Sequence, residues 1–328
     1  MKLSVITVVV WLIASVLGIP HAHGSMYVAY ISDSPSASAV YWVVKEAGIF
    51  KKHGLDIDLI FVSGSTRGIQ SLISGDVAFA SAVGTSAING KLAGADIAII
   101  DSLVNTLPYY IIGKPEIASP EALKGKAAAV HIPGTAADFA LRLALKGVGL
   151  SLRDIKTVTV GGGPARIAAV MSGQVDFTVG PESEKINGEK GGLKVIIDMA
   201  RLNIPFQFTC TVAARKMIRE QPDTARRMVR AMAEGVYYYK THRDEVINIM
   251  HKYTRGLSRT ILGEAYAAYR ELLVEDTYPS LEGLKNTLEI QATLDPKAAK
   301  ARAEEFVDLR FVDELKKSGF LNQLYGRR

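Results

Sequence analysis

A chain of 328 residues, of which 48% are hydrophobic and 22% charged, is long enough for two domains of ordinary size. The formal net charge of +6 comes from basic residues scattered among acidic ones, which excludes the continuous basic surface that nucleic-acid binding needs. A single cysteine, Cys210, excludes an internal disulfide and any metal or iron–sulfur site built from several cysteines. The sequence has no metal-spaced histidines and no nucleophile elbow, so we predict neither a cofactor, nor a metal, nor catalytic residues.

The N-terminus has the pattern of a secretory signal peptide over residues 1–24. Lys2 precedes an almost wholly apolar run over residues 3–19, and the small residues Ala22 and Gly24 suit a cleavage site after Gly24. An uncleaved anchor is the alternative, because the run is only slightly shorter than the roughly 20 residues that span a bilayer. Cleavage removes one charge, so the mature chain would carry 6 − 1 = +5. No cysteine follows for lipid attachment, which predicts a protein free in the periplasm.

An internal repeat organises the rest of the chain. The segment Ser74-Gly75-Asp76-Val77-Ala78-Phe79 recurs as Ser172-Gly173-Gln174-Val175-Asp176-Phe177, an offset of 172 − 74 = 98 positions. The same offset places Ser63-Gly64-Ser65 on Gly161-Gly162-Gly163 without a gap. Such a repeat predicts two halves of similar architecture.

Each half reads as strands alternating with helices. The first half has strand patterns at 27–31, 57–62 and 77–81 and helical patterns at 36–52 and 67–74; the second has strands at 127–132, 156–160 and 175–179 and helices at 136–146 and 166–172. This alternation predicts an α/β fold of two lobes, each a mostly parallel sheet flanked by helices.

Two extended stretches connect the halves. Residues 97–112 lead out of the first half and residues 193–213 lead back, so we expect two crossing segments to join the lobes. Lobe one then comprises residues 25–104 and 205–328, and lobe two comprises residues 105–204. Helical patterns follow at 222–240, 243–253, 258–273 and 296–319, and these helices are expected to pack on lobe one.

Loops that follow the predicted strands carry the candidate binding residues, because ligands of parallel α/β sheets bind where strands end and helices begin. Small residues admit a ligand to the backbone, hydroxyls form hydrogen bonds, and helix starts attract negative charge. The candidates are Ser34, Pro35, Ser36, Gly64, Ser65, Thr66, Arg67, Gly84, Thr85, Ser86, His131, Gly134, Thr135, Gly163, Pro164 and Glu182, with Tyr109 from the first crossing. The alternative is that these are ordinary helix caps and turn residues.

Three of these side chains have their own alternatives. Arg67 either pairs with an anionic group of the ligand or lies in solvent on the helix surface. Glu182 either faces an amine of the ligand or bonds to an amide of the hinge that the two crossing segments form. Tyr109 either lines the cleft or packs in the hinge core.

A family resemblance rests on the order of several short motifs. The segment Glu46-Ala47-Gly48-Ile49-Phe50-Lys51-Lys52 precedes Ser63-Gly64-Ser65, and Leu123-Lys124-Gly125-Lys126 precedes Pro133-Gly134-Thr135. Together they resemble the sulfonate/nitrate/taurine-type substrate-binding proteins of ABC transporters. The resemblance implies a type II periplasmic-binding fold and a monomer that delivers a small polar or anionic organic ligand to a permease in the inner membrane. Pro181-Glu182-Ser183 departs from the apolar or proline-rich stretch of many relatives, which leaves room for a zwitterion or a neutral heterocycle.

Two other functions fit the same fold. One is a ligand-sensing periplasmic protein that signals to a membrane partner. The other is an enzyme resembling the thiamine pyrimidine synthases, but that chemistry requires a cysteine-rich metal segment that Cys210 alone cannot supply.

Overall fold

The computed structural model describes residues 26–32, 34–254 and 256–327. The predicted signal peptide and Asp33 lie outside the described residues, and so does the side chain of the candidate Ser36.

The first half contains four strands and four helices. In chain order they are β1 (Met26–Tyr30), α1 (Pro35–Glu46), α2 (Ile49–Lys52), β2 (Ile57–Phe61), α3 (Ser65–Ser74), β3 (Phe79–Val83), α4 (Gly84–Leu92) and β4 (Ile97–Ser102).

The second half repeats this succession after an extra strand. It contains β5 (Tyr110–Gly113), β6 (Ala127–Val130), α5 (Ala136–Gly147), β7 (Lys156–Thr159), α6 (Gly163–Met171), β8 (Phe177–Gly180), α7 (Glu182–Lys190) and β9 (Lys194–Asp198). The offset of the sequence repeat carries the start of β3 onto the start of β8 and the start of α4 onto the start of α7.

The remainder is one strand followed by helices. These are β10 (Thr209–Ala214), α8 (Arg215–Glu220), α9 (Pro222–Thr241), α10 (Arg243–Tyr253), α11 (Arg259–Leu272), α12 (Leu281–Gln291), α13 (Arg310–Lys317) and α14 (Phe320–Tyr325). None of the helices within the described ranges is long and apolar enough to cross a membrane.

The strands form two five-stranded sheets with the same internal order. Sheet one runs β2-β1-β3-β10-β4, and sheet two runs β7-β6-β8-β5-β9. In sheet one β1 is parallel to β2 and β3, whereas β10 is antiparallel to both of its neighbours. In sheet two β5 is the antiparallel strand. The prediction of two mostly parallel sheets flanked by helices is therefore confirmed, while the exact lobe boundaries stay a prediction.

Helix α1 forms the centre of the larger core. It packs against α9, α10 and α11, and its side chains Tyr41 and Trp42 are fully buried. The approach to α9 is close, because a Cβ added to Gly235 would lie 2.2 Å from Cγ2 of Val44. The C-terminal helices thus pack on lobe one as the sequence predicted.

Two of the predicted helices are wrong as continuous elements. The helix over 36–52 ends at Glu46, and Gly48, with φ of +70°, starts the separate α2. The segment 296–319 contains only α13 and two short 3₁₀ turns at Ala298–Lys300 and Ala303–Phe306. Its chain runs extended at Val307, which forms a β-bridge with Ile99 at the edge of sheet one. Pairing with a sheet edge explains why amphipathic spacing there does not give one helix.

The two crossing segments pair with each other between the lobes. The Phe206 amide donates to the Asn105 carbonyl and the Phe208 amide to the Val104 carbonyl, each at 3.0 Å. The expectation of two chain crossings is confirmed. Because the crossings share backbone hydrogen bonds, a rotation of one lobe has to carry both of them together.

Candidate ligand-binding cleft

A cavity of about 970 Å³ lies at the carboxyl ends of β1, β2 and β3. Helix α7 contributes one wall, and the ends of α10 and α11 contribute another. The volume is at the upper end of the range usual for small-molecule pockets. Both lobes line it, because Tyr30, Phe61 and Val83 are the last residues of strands of sheet one, while Glu182 begins the helix after β8 of sheet two.

Aromatic side chains form two of the walls. Tyr30 lies at a ring-centroid distance of 5.4 Å from Phe61 and 6.3 Å from Tyr253, and Trp42 stacks behind Tyr253 at 4.9 Å. The Tyr30–Tyr253 pair is edge to face, the Trp42–Tyr253 pair is stacked and the Tyr30–Phe61 pair is tilted, and these contacts hold the rings in place. Phe61 is 49% exposed, so a large part of its face remains open.

A second aromatic pair comes from the two crossings. Tyr109 meets Phe208 edge to face at 6.1 Å, and both line the cavity. Burial raises the pKa of the Tyr109 phenol well above its usual value, with a further contribution from Glu184 that Arg166 opposes. Tyr109 therefore stays a neutral hydrogen-bonding group at physiological pH.

Lobe two supplies the charged groups among the described lining residues. They are Glu182 and Glu184 in the first turn of α7 and Lys190 at its last residue. Burial raises the pKa of Glu182, and Glu264 of α11 adds to the rise while Lys185 opposes it. The Lys185 ammonium lies 5.1 Å above the ring of Tyr110. A carboxylate held half-buried beside a like charge gains stability from any cation that enters the cleft.

Glu184 folds back against the start of α6. A Cβ added to Gly163 would lie 1.7 Å from Oε1 of Glu184, and one added to Gly180 would lie 2.6 Å from its Cβ. The carboxylate thus occupies space next to the helix N-terminus, where the partial positive charge of the helix favours an anion. A side chain at Gly180 would collide with the Cβ of Glu184, whereas a side chain at Gly163 would displace the flexible carboxylate end of Glu184.

Arg166 is the buried guanidinium beside this carboxylate, and it is 3% exposed. Its Nη2 donates to the Val179 carbonyl at 3.1 Å, its Nη1 donates to the Gly161 carbonyl, and its Nε donates to Thr178 at 3.3 Å. Burial lowers the pKa of Arg166, and the charge of Glu184 opposes that effect. The guanidinium therefore braces the end of β8, and its positive charge interacts electrostatically with Glu184.

Four of the predicted binding residues line the cavity: Ser34, Pro35, Tyr109 and Glu182. Ser34 and Pro35 lie at the start of α1, where no side chain caps the helix. The loop that follows β1 therefore lines the cavity, where the rule about strand ends predicts a ligand. Whether any of the four touches a ligand stays a prediction.

The lobe-one candidates on α3 and α4 lie elsewhere. Gly64, Thr66 and Arg67 are exposed, and Ser65 accepts a hydrogen bond from the Val83 amide at 2.8 Å through its Oγ. Gly84 donates its amide to the Gln207 carbonyl at 2.9 Å, Thr85 is 3% exposed and Ser86 follows it in α4. The return crossing thus covers the start of α4, and none of these residues is among the described lining residues.

The lobe-two candidates before α5 and α6 also lie outside the described lining. Thr135 caps α5, because its Oγ1 accepts from the Asp138 amide at 3.4 Å, and the Gly134 amide donates to Asp138 at 3.0 Å. His131 has a buried Nδ1 without a partner among the described residues. Gly163 and Pro164 begin α6 against Glu184. The cap interpretation describes Thr135 in this structure.

Sequence reasoning missed most of the aromatic walls. Tyr30 and Phe61 are the last residues of β1 and β2, so the rule about strand ends could have found them. The sequence prediction selected glycines and hydroxyl-bearing residues in these loops and did not consider aromatic side chains. Tyr253 and Ile261 come from α10 and α11, and only the tertiary packing brings them to the cavity.

A second cavity of about 740 Å³ lies on one side of α12, next to the 3₁₀ turns near residue 300. Its lining comes from residues 281–304 alone, so a ligand there does not connect the lobes. Among the described residues no group of three histidine, cysteine, aspartate or glutamate side chains could hold a metal ion.

Solved structures with a similar architecture include periplasmic binding proteins. The periplasmic aliphatic sulphonate-binding protein SsuA of Escherichia coli is 20% identical and superimposes with a TM-score of 0.71 over 86% of this chain and 91% of that one. The alkanesulfonate-binding protein SsuA of Xanthomonas axonopodis pv. citri, solved with MOPS, is 16% identical. It superimposes with a TM-score of 0.65 over 82% of this chain and 92% of that one. At these identities the similarity shows the fold.

Sequence comparisons agree with the structural ones. A protein of Brucella abortus (strain 2308), described only as a candidate binding protein, is 26% identical over 241 residues, which are 70% of this chain and 71% of that protein. The family model described as NMT1/THI5 like matches residues 36–246, which is more than half of the chain and includes parts of both lobes. The chain belongs to the NMT1/THI5-like family.

Proposed function

We propose that this protein is the periplasmic solute-binding component of an ABC importer, which closes around a small polar organic molecule and delivers it to a membrane permease. One observation carries the proposal: the cavity is lined from both lobes, and two hydrogen-bonded crossings join those lobes. A ligand that contacts both walls stabilises the closed arrangement by as much as it binds that arrangement better than the open one.

The crossings have a buried anchor that suits a hinge. Gln207 is fully buried, its Oε1 accepts from the Ser280 amide at 2.8 Å, and its Nε2 donates to the Ser102 hydroxyl at 2.6 Å. Its carbonyl accepts from Gly84 at 2.9 Å. Because these groups tie the return crossing to α4, β4 and the start of α12, bending is expected on the lobe-two side of Gln207.

Two matched variants on one strand test the cavity. Phe61→Ala removes a lining ring, whereas Ile60→Ala removes an exposed side chain of the same strand that is outside the described lining. A ring contact contributes about 1 kcal/mol, so Phe61→Ala should weaken ligand binding about fivefold. Ile60→Ala should leave it unchanged. Titration calorimetry with ligands from a thermal-shift screen of sulfonates, nitrate, amino-sulfonates, carboxylates and pyrimidines measures both. Equal affinities in the two variants would contradict the proposed site.

Closure is tested separately by small-angle X-ray scattering. The radius of gyration should fall when a ligand that stabilises the protein is added. A bound ligand without any such decrease would contradict the hinge mechanism.

Location and partner have their own tests. Export with cleavage predicts that the protein recovered from the periplasm begins at Ser25. Cross-linking to a permease supports the importer, and cross-linking to a membrane sensor alone supports the signalling alternative.

A further inference from the structure

The cleft has few free groups for an anionic ligand among the described residues. The buried guanidinium of Arg166 donates to two backbone carbonyls and to Thr178, and it lies next to Glu184. No arginine is among the described lining residues. The one described lining cation, Lys190, is an exposed residue at the far end of α7.

The helix starts that could bind an anion are already covered by the protein's own groups. The carboxylate of Glu184 lies against Gly163 at the start of α6. The Gln207 carbonyl accepts the amide at the start of α4, and Asp138 accepts the Gly134 amide before α5.

The same cavity presents groups that suit a cation. Glu182 is a half-buried lining carboxylate that forms no ion pair within 4.0 Å among the described residues. The aromatic walls of Tyr30, Phe61 and Tyr253 and of Tyr109 and Phe208 are close by in the same cavity. Aromatic faces attract ammonium groups, most strongly where water is excluded.

We infer that the ligand carries a positively charged nitrogen, as an ammonium group or a zwitterion, which pairs with Glu182 while the rest of the molecule lies between the two aromatic walls. The inference rests on the proposed solute-binding function and names the ligand class for that cleft. A simple sulfonate or nitrate offers no cation to Glu182, so the charge of Lys185 alone would offset that half-buried carboxylate.

Pairs of probes that differ in one charged group test the inference. Taurine and isethionate differ only in an ammonium against a hydroxyl, and benzylamine and benzenesulfonate set a cation against an anion on one ring. Binding to the mature chain is measured by titration calorimetry. A hydrogen bond to a charged group predicts that the ammonium member of each pair binds at least about tenfold more tightly.

Variants on one helix identify the responsible carboxylate. Glu182→Gln should weaken ammonium binding by about tenfold. Glu184→Gln should weaken it by less than about threefold, because the nearby charge of Arg166 offsets part of the charge of Glu184. The matched control is Glu189→Gln, an exposed residue of the same helix outside the described lining, and it should change nothing.

The inference is overturned if isethionate or benzenesulfonate binds as tightly as its partner, if neither ammonium probe binds, or if Glu182→Gln leaves affinity unchanged. The proposed function fails differently. If an anion binds, depends on Phe61 and shrinks the radius of gyration, the solute-binding function stands and the cationic ligand is wrong. If an ammonium probe binds through Glu182 without closure, the ligand class stands and the transport mechanism is wrong.

Discussion

Replacing Asp101 with asparagine tests the strongest electrostatic feature of the lobe-one core. Asp101 is fully buried on β4, and its Oδ1 accepts from the Thr211 amide at 3.2 Å on the neighbouring β10. Its Oδ2 has no partner among the described residues. Burial raises the pKa of Asp101 from 3.8 to about 7, and the hydrogen bonds from Thr211 offset only part of that rise.

The sign of the effect on stability follows from this shift. Between about pH 4 and pH 7 the folded protein keeps the proton that the unfolded chain has lost, so the free energy of unfolding falls as pH rises and levels off above about pH 7. Each unit of pKa difference is worth about 1.4 kcal/mol, so the total loss is on the order of 4 kcal/mol. Asparagine retains an acceptor for the Thr211 amide and has no proton to lose.

Urea unfolding of the wild type and Asp101→Asn at two pH values measures the effect. The wild type should lose about 3 kcal/mol of its free energy of unfolding between about pH 5 and about pH 8 through Asp101, and the variant should not. The difference in free energy of unfolding between variant and wild type should therefore grow by that amount. Asp244→Asn, whose side chain is 85% exposed, is the control and should show no comparable gain. A difference between Asp101→Asn and wild type that does not change with pH would refute the claim that burial keeps Asp101 protonated.

Three further substitutions test packing, capping and the hinge. Gly235→Ala should destabilise the fold by about 1–3 kcal/mol in urea unfolding, because its Cβ would meet Val44 at 2.2 Å. Gly263→Ala is its helical control and should stabilise by up to about 1 kcal/mol, because the nearest atom is the flexible end of Arg243 at 3.3 Å. Thr135→Ala should cost about 1 kcal/mol of stability through the lost α5 cap and leave ligand affinity unchanged; weaker binding at unchanged stability would instead place Thr135 at the ligand. Gly84→Ala brings a Cβ within 2.6 Å of the Gln207 carbonyl, so it should lower the melting temperature and alter closure measured by scattering; wild-type behaviour in both would show that the crossing is free to shift.

Much of the fold could be predicted because the repeat and the strand–helix alternation are local properties of the sequence. The offset of 98 positions carries Ser65 at the start of α3 onto Gly163 at the start of α6. The apolar stretches that form β1 and β6 were found within a few residues of their observed bounds. What local pattern could not predict was the route of the chain near Val307, where pairing with Ile99 replaces helix.

The binding cleft was only partly predictable, because a loop of small residues does not reveal what covers it. Thr85 and Gly84 have the composition of a ligand-binding loop, but the Gln207 carbonyl already bonds the Gly84 amide. That contact joins residues 123 positions apart (207 − 84), so the local sequence around Gly84 does not predict it. Glu182 was named because it follows a predicted strand end, and it lines the cavity; its contact with a ligand stays a prediction.

The repeat makes the difference between the two halves informative. The offset carries Gly84 and Ser86 of α4 onto Glu182 and Glu184 of α7. Two helices at equivalent places in the two halves therefore begin differently, one with small uncharged residues and the other with carboxylates. In lobe one a backbone carbonyl covers the helix start, and in lobe two the helix start faces the cavity with carboxylates. Among the described lining residues, lobe one therefore contributes mainly aromatic and small uncharged side chains, while lobe two contributes the charged ones. If the ligand has one cationic end, as proposed, that end is expected to face lobe two. A fixed orientation would let closure select one class of molecule, because a reversed ligand would place no cation beside the half-buried Glu182.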